Sequence, residues 1–148
     1  MAIHRGEGLW RAATLGALLI LIGCVADRQD AAGTPLAINL ANKGGEPLRC
    51  QLIYGHWVER GLGEIAPGAS IKIALMRARD GGLYNMRPDG RKEMMVENVI
   101  CGRLEGWKDS LGQVDLNEPR RRPLTRVEAS CAAPAGAGRV ACRLDKVE

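Results

Sequence analysis

The sequence contains few aromatic residues, 3% of 148, and no phenylalanine. Histidine is also scarce, with two residues, and no two cysteines have the C-x-x-C spacing of thioredoxin-like and zinc motifs. No serine lies in the G-x-S-x-G elbow that presents the nucleophile of many hydrolases. These absences argue against a metalloenzyme, a thiol oxidoreductase and a serine hydrolase. They also mean that a core must be built mainly from leucine, isoleucine, valine and methionine.

The length and charge of the chain are those of one small globular domain with short appendages. Charged residues make up 26% of the sequence, and the formal net charge is +4. A balance this mild does not predict binding to nucleic acid. The one glycine pattern similar to a dinucleotide fingerprint, at residues 61–66, runs directly into Pro67 and Gly68 and leaves no room for the following helix. We therefore expect neither a nucleic-acid partner nor a cofactor.

The first 24 residues have the organisation of an export signal. Arg5 and Arg11 give a positive start, and fifteen uncharged residues then run from Ala12 to Ala26. A run of this length is short for a transmembrane helix, which needs about 20 apolar residues. It contains the segment Leu21-Ile22-Gly23-Cys24.

This segment resembles the lipobox of bacterial lipoproteins, in which small and aliphatic residues precede an invariant cysteine. The resemblance implies a signal peptide over residues 1–23, cleavage before Cys24, diacylglycerol on the Cys24 thiol and a further acyl chain such as palmitate. Two or more acyl chains hold a protein stably at a membrane. Val25 follows the cysteine, and by analogy with the enterobacterial sorting rule a residue other than aspartate favours the outer membrane. The alternatives are an ordinary cleaved signal peptide and an uncleaved anchor.

The remaining cysteines predict two disulfides. An even number of cysteines in an oxidising compartment indicates a disulfide framework, and four cysteines allow three connectivities. Cys131 and Cys142 lie on the inward faces of two predicted strands. They flank a connection of small residues at 132–138, which favours a bridge between them. Their spacings match no zinc pattern. The favoured pairs are Cys131–Cys142 and Cys50–Cys101.

After the tether at residues 25–34, the chain has the pattern of one β-rich domain over residues 35–148. Apolar residues alternate with a period of two, as in strands with one buried face. Turn residues recur about every 8–12 residues, and no long amphipathic helix is present. The pattern predicts an all-β fold, a small antiparallel β-sandwich or barrel with two disulfides. The strongest alternation has these inward residues: Leu48, Cys50, Leu52, Tyr54, His56 and Val58.

Two segments are ambiguous. In the predicted strand from Met94 to Cys101, an inward Cys101 brings Met95 and the charged Glu97 inward as well, unless a β-bulge resets the register. Residues 103–111 have a weak helical pattern.

His56 is the only histidine outside the signal segment. Its place at the end of an inward strand face, beside Trp57, favours a half-buried structural role. The alternative is a metal site in which His56 and methionines bind copper, because imidazole and thioether ligands suit that metal. No Met-x-Met or His-x-Met pattern supports this alternative.

Aromatic and basic residues supply the candidates for an interaction surface. Trp57 and Trp107 are candidate anchors because aromatic residues dominate binding hot spots. In a chain with so few aromatic residues, a place in the hydrophobic core is equally expected for both. The densest basic cluster is Arg120, Arg121 and Arg122, and the prolines on either side predict an extended surface loop. Such a loop is either solvated or in contact with anionic lipid headgroups.

The sequence therefore predicts a membrane-anchored, periplasm-facing lipoprotein that is not an enzyme. Its expected role is an interaction or structural module of the bacterial envelope that binds a protein or a cell-wall component. One alternative is an inhibitor of a periplasmic or host hydrolase, acting through the segments 80–90 or 120–123. The other is a periplasmic metal-binding protein that uses His56.

Overall fold

The computed structural model describes residues 33–55, 59–86, 92–136 and 138–148. These residues form nine strands and two short helices. The elements are β1 (Thr34–Asn42), β2 (Leu48–Tyr54), β3 (Glu59–Ile65), β4 (Ser70–Arg77), β5 (Leu83–Met86), β6 (Lys92–Arg103), α1 (Trp107–Ser110), β7 (Gly112–Gln113), α2 (Asn117–Arg121), β8 (Arg126–Ala132) and β9 (Ala141–Val147).

The strands form one mixed sheet in the order β3-β2-β6-β5-β4-β1-β8-β9, and β7 pairs with β6. The all-β prediction with two disulfides is confirmed, but the sheet is open and the barrel alternative is wrong. A second difference is that β1 and β8 are parallel, whereas the predicted sheet was antiparallel throughout. Alternation of apolar residues reads the same along either strand direction, so it contains no signal for a parallel pair.

One face of the sheet encloses the core, and the predicted inward residues lie there. In β1, Leu36, Ile38 and Leu40 are buried, as are the alternate residues of β2 from Leu48 to Tyr54. Tyr54 is the one aromatic residue among the buried hydrophobic residues of the described part of the chain. The rest of this core is made of aliphatic side chains, alanine and cysteine. The expectation of a large methionine contribution is wrong, because in the described part of the chain only Met94 packs against the core and it is partly buried. The last two predicted inward residues of this strand, His56 and Val58, lie outside the described residues.

A β-bulge resolves the ambiguity in β6. The register between β2 and β6 shifts between Ile53 and Tyr54. As a result, Val96 is buried together with the inward cysteine at the other end of the strand, while Met95 and Glu97 are exposed. The bulge thereby keeps the charged side chain of Glu97 out of the core, which an unbroken alternation from Cys101 would not have done.

Both predicted disulfides are present: Cys50–Cys101 joins β2 to β6, and Cys131–Cys142 joins β8 to β9. In each bridge the two cysteines are direct cross-strand partners, with Cα atoms 4.1 Å apart. The bridges close chain segments with sequence separations of 51 and 11 residues. In the loop-entropy model these separations correspond to about 4 and about 3 kcal/mol of stabilisation.

Helix is confined to two short elements. The weak helical pattern at residues 103–111 corresponds only to α1, a single turn of four residues. It begins after Gly106, whose φ of 66° favours glycine. No helix in the described ranges is both long and apolar enough to span a membrane.

Asn42, the last residue of β1, is completely buried, and its side chain is fully hydrogen-bonded. Its Nδ2 donates to the carbonyl oxygens of Glu46 and Ile65, both at 2.8 Å. Its Oδ1 accepts from the backbone N–H of Gly44 at 2.9 Å. One side chain therefore holds the β1–β2 turn and the end of β3 to the end of β1.

We expect Asn42→Ala to lower the free energy of unfolding by about 3 kcal/mol, because the substitution removes three hydrogen bonds to the backbone, of which the one to Ile65 is buried. The matched control is Asn39→Ala on the opposite face of β1, where Asn39 Nδ2 donates to Glu128 at 2.7 Å in a partly exposed position. We expect the control to cost less than about 1 kcal/mol. Urea unfolding with the disulfides intact measures both, and equal losses would contradict the role of Asn42.

Candidate interaction surface

Four side chains lie next to one another on the outer face of the sheet. The strand registers pair Pro35 with Met76, Met76 with Tyr84, and Tyr84 with Met95. Directly paired residues of antiparallel strands point to the same face. Their chain neighbours Leu36, Leu75, Leu83 and Val96 are buried, so this set, which we call the outer row, points away from the core.

The outer row is apolar and partly open to solvent. Met95 is 44% exposed and is the one large hydrophobic residue with that degree of exposure among the described residues. Met76 and Tyr84 are half-buried and Pro35 is exposed. The Lys92 ammonium lies 4.9 Å from the centre of the Tyr84 ring, which places a positive charge at the margin of the row.

The backbone beneath the outer row is fixed because it lies on four central strands. Each of β1, β4, β5 and β6 is paired with a neighbour on both sides. Residues on paired strands are positioned more precisely than residues on loops, while the methionine side chains themselves can adopt several rotamers. Methionine and tyrosine are also residue types that are enriched at the buried centre of protein interfaces.

The two edges of the sheet differ from its outer face because they are highly charged. Along β3, Glu59, Arg60 and Glu64 are exposed, and β9 presents Arg143 and Asp145. Charged side chains on edge strands oppose the pairing of a further strand. A partner is therefore expected on the face of the sheet rather than at an edge.

Hydrogen bonds hold the carboxylates of β8 and β9 in their ionised form. Asn39 and then Arg126, through hydrogen bonds to the Glu128 side chain, lower the pKa of that carboxyl. Arg143 and then Ser130 do the same to the pKa of Asp145. Both groups are thus acceptors in the sheet rather than proton donors near neutral pH.

Trp107, a predicted interface anchor, packs against the sheet. Its ring lies so close to Gly102 that a Cβ at this glycine would be 2.7 Å from the Trp107 Cε3 atom. The Arg49 guanidinium lies 5.7 Å from the ring centre on the same face. The ring is half-buried, so a large part of it serves to cover the β2–β6 pair.

The arginine cluster does not form the predicted extended loop. Residues 117–121 form α2, with the buried Pro119 in its first turn, where a missing N–H costs nothing. Arg120 Nη2 donates to the carbonyls of Val96 at 3.1 Å and Glu97 at 2.8 Å, so this side chain fixes α2 to β6.

The other two arginines of the cluster are exposed. Arg122 Nη1 lies 3.6 Å from Glu118 Oε2 across one turn, an exposed ion pair of low energetic weight. Arg121 and Arg122 therefore remain available for contact, whereas Arg120 has a structural role.

Three predicted site residues lie outside the described residues: Cys24, His56 and Trp57. The lipid anchor, the metal ligand and one aromatic anchor therefore stay predictions. The hydrolase-inhibitor alternative is affected in a different way. Its segment 120–123 begins in the last two residues of α2, and residues 87–90 of its segment 80–90 lie outside the described residues.

The outer row was not predicted. The alternation in β4 and β5 does place Met76 and Tyr84 on outward positions, but the same kind of alternation places many polar residues on outward positions too. The pairing of β1 with β4 and of β5 with β6 brings the members of the row together, and this pairing is a non-local property of the sheet. The one available signal was that outward positions of three strands carry methionine or tyrosine instead of charge.

No protein-family model matches this chain, and comparisons with curated proteins and with solved structures likewise found no match.

Proposed function

We propose that the protein is a lipid-anchored interaction module of the bacterial envelope, attached through Cys24 and facing the periplasm, with the outer membrane as its favoured location. Its task in this proposal is to present the outer row to an envelope protein. The observation that carries the proposal is the row itself: four adjacent, outward-facing apolar side chains on four strands that are each paired on both sides.

The position of the row supports an anchored role. The described chain begins at Gly33, where an added Cβ would be 2.6 Å from Met76 Cγ, so the entry into β1 runs beside the row. The tether from Cys24 has a reach of about 15–20 Å if it behaves as a flexible coil. An anchor at Cys24 therefore keeps the row within a short distance of the membrane and of proteins embedded there.

The chemistry of the row favours a protein as its partner. Methionine side chains are flexible and polarisable and adapt to the shape of an apolar partner surface. Tyr84 adds a rigid ring, and Lys92 beside it offers a charge to an acidic group at the rim of the contact. A glycan or an anionic lipid surface would instead be matched by several hydrogen-bonding or basic side chains.

The lipid anchor is tested by labelling cells with a clickable fatty acid. We expect label on the wild-type protein and its complete loss in Cys24→Ala, because the acyl chains are attached through that residue in the lipoprotein pathway. Cys24→Ala also releases the protein from the membrane fraction. Label that persists in the variant would contradict the lipobox assignment.

The docking role is tested by placing a photoreactive benzoylphenylalanine at position 95 in intact cells. Met95 is the most exposed member of the row, so we expect one discrete protein adduct after irradiation. The matched control places the same group at Lys108, which is exposed on α1. We expect the control to lack that adduct, and we expect Cys24→Ala to weaken it.

Other results would contradict the docking role. Identical adducts at positions 95 and 108 would mean non-specific contact. An adduct only with lipid or glycan at position 95 would mean that the row faces the membrane or the cell wall and not a protein.

A further inference from the structure

The chain enters β1 next to α2. Thr34, the first residue of β1, pairs with Arg77 at the end of β4. The Arg77 side chain donates through Nε and Nη2 to the Arg120 carbonyl oxygen in α2, at 3.0 and 2.6 Å. A Cβ at Gly81, in the turn after β4, would be 2.7 Å from the same oxygen. The start of β1, the β4–β5 turn and α2 therefore form one end of the domain, which we call the entry end.

Most of the net charge of the domain lies at the entry end. Residues 33–148 contain 18 basic and 14 acidic side chains, a net charge of +4. Two segments of the entry end, residues 77–82 and 117–122, contain five arginines and two acidic residues, a net charge of +3. These two short segments therefore hold most of the net positive charge, and such a concentration attracts anions.

Four of the five arginines have no carboxylate partner among the described residues. The hydrogen bonds of Arg77 and Arg120 all go to backbone carbonyls. Arg79 and Arg121 are exposed and form no hydrogen bond or ion pair with the described part of the chain. A carbonyl orients a guanidinium but does not cancel its charge, so the field of these arginines extends into the solvent.

The two acidic residues of the entry end leave its exposed arginines accessible. Glu118 forms the ion pair with Arg122, which is exposed and therefore weak. Asp80 Oδ1 accepts a hydrogen bond from the backbone N–H of Gly82 at 2.9 Å, which holds this carboxylate in its own turn. Neither acid therefore shields the exposed arginines from an external anion.

We propose that the entry end is a docking surface for anionic phospholipids, whose phosphate groups bind Arg79, Arg121 and Arg122. Guanidinium groups bind phosphate oxygens through two parallel N–H donors. Each basic residue close to an anionic bilayer strengthens attachment about fivefold, which corresponds to about 1 kcal/mol. Three arginines together give about 100-fold, which is enough to orient a domain that a tether already holds at the bilayer.

The position of the tether selects this end of the domain, and here the inference rests on the proposed lipid anchor at Cys24. The tether has a reach of about 15–20 Å as a flexible coil and joins β1 at the entry end. The opposite end of β1 is about 25 Å farther away, since each of its nine residues adds about 3.3 Å. The arginines of the entry end therefore lie nearer to the anchoring bilayer than the basic residues at the opposite end do.

Docking of the entry end also orients the outer row. The row begins one residue from this end, because Pro35 follows Thr34 and Met76 precedes Arg77. From there it crosses the strands of the sheet, so it runs parallel to the bilayer and close to the headgroups. The partner that covers the row is then a protein of the same membrane.

Chemical modification of arginine tests the contact on the full lipidated protein. The protein is reconstituted into phosphatidylcholine vesicles with or without phosphatidylglycerol and treated with phenylglyoxal, and the modified residues are mapped by mass spectrometry. We expect phosphatidylglycerol to lower the modification of Arg79 and Arg121 about fivefold relative to Arg139. Arg139 is the matched control because it is exposed and follows β8, whose last residues pair with the end of β1 opposite to the entry end.

Two results would overturn the proposal. One is an equal modification ratio in both kinds of vesicle. The other is the same protection by inorganic phosphate added to neutral vesicles at the same phosphate concentration, because the arginines would then bind a free anion and not a lipid surface. Flotation with the phosphatidylcholine vesicles reports separately on the anchor: a protein without acyl chains does not float, while its arginine pattern with phosphatidylglycerol still decides the docking surface.

Hydrogen exchange of variants gives an independent measure. We expect the amides of residues 78–82 and 117–122 to exchange about fivefold more slowly in phosphatidylglycerol vesicles than in neutral ones, and high salt to remove the difference. The triple variant Arg79→Gln, Arg121→Gln, Arg122→Gln changes only exposed side chains and should fold normally but lose the effect. Arg139→Gln should keep it. Slowing that survives in the folded triple variant would refute the docking surface.

Discussion

The pairing of β6 with β2 is the interaction on which the rest of the structure depends. Its register places Cys50 opposite Cys101, so the first disulfide forms within the sheet. Its bulge beside Tyr54 then turns Val96 into the core and Met95 out of it. The same strand continues into its pairing with β5, which completes the outer row. One register therefore positions both the Cys50–Cys101 disulfide in the core and the apolar surface on the outside.

A small domain without phenylalanine has to compensate for a core of modest side-chain volume. The structure does so with two cross-strand disulfides and with the hydrogen bonds of the buried Asn42. The Asn42 side chain connects the β1–β2 turn and the end of β3 to the end of β1. The disulfides lower the entropy of the unfolded chain, the asparagine adds hydrogen bonds, and neither requires more apolar area. They leave the outer face free to carry methionine and tyrosine for another purpose.

Local patterns in the sequence were sufficient for the core but not for the surface. The period-two alternation identified Leu36 and Ile38 as inward residues, and the loop between Cys131 and Cys142 identified their pairing. The parallel pairing of β1 with β8 and the outer row depend on which strands meet, and no local pattern contains that information. The α2 helix differs from the expected loop for a local reason, because proline is tolerated in the first turn of a helix. The resemblance to a lipobox concerns Cys24, outside the described residues, and so remains a prediction.

The proposed docking role requires that a partner covers the outer row in the cell. Oxidation of methionine by a brief pulse of peroxide measures this directly, with Met94 as the internal reference because it packs against the core on the other side of β6. The account predicts that the ratio of Met95 to Met94 oxidation falls by about fivefold between the detergent-purified protein and intact cells, as expected for a contact that excludes solvent. An equal ratio in both would show that the row stays open to solvent and would contradict the claim.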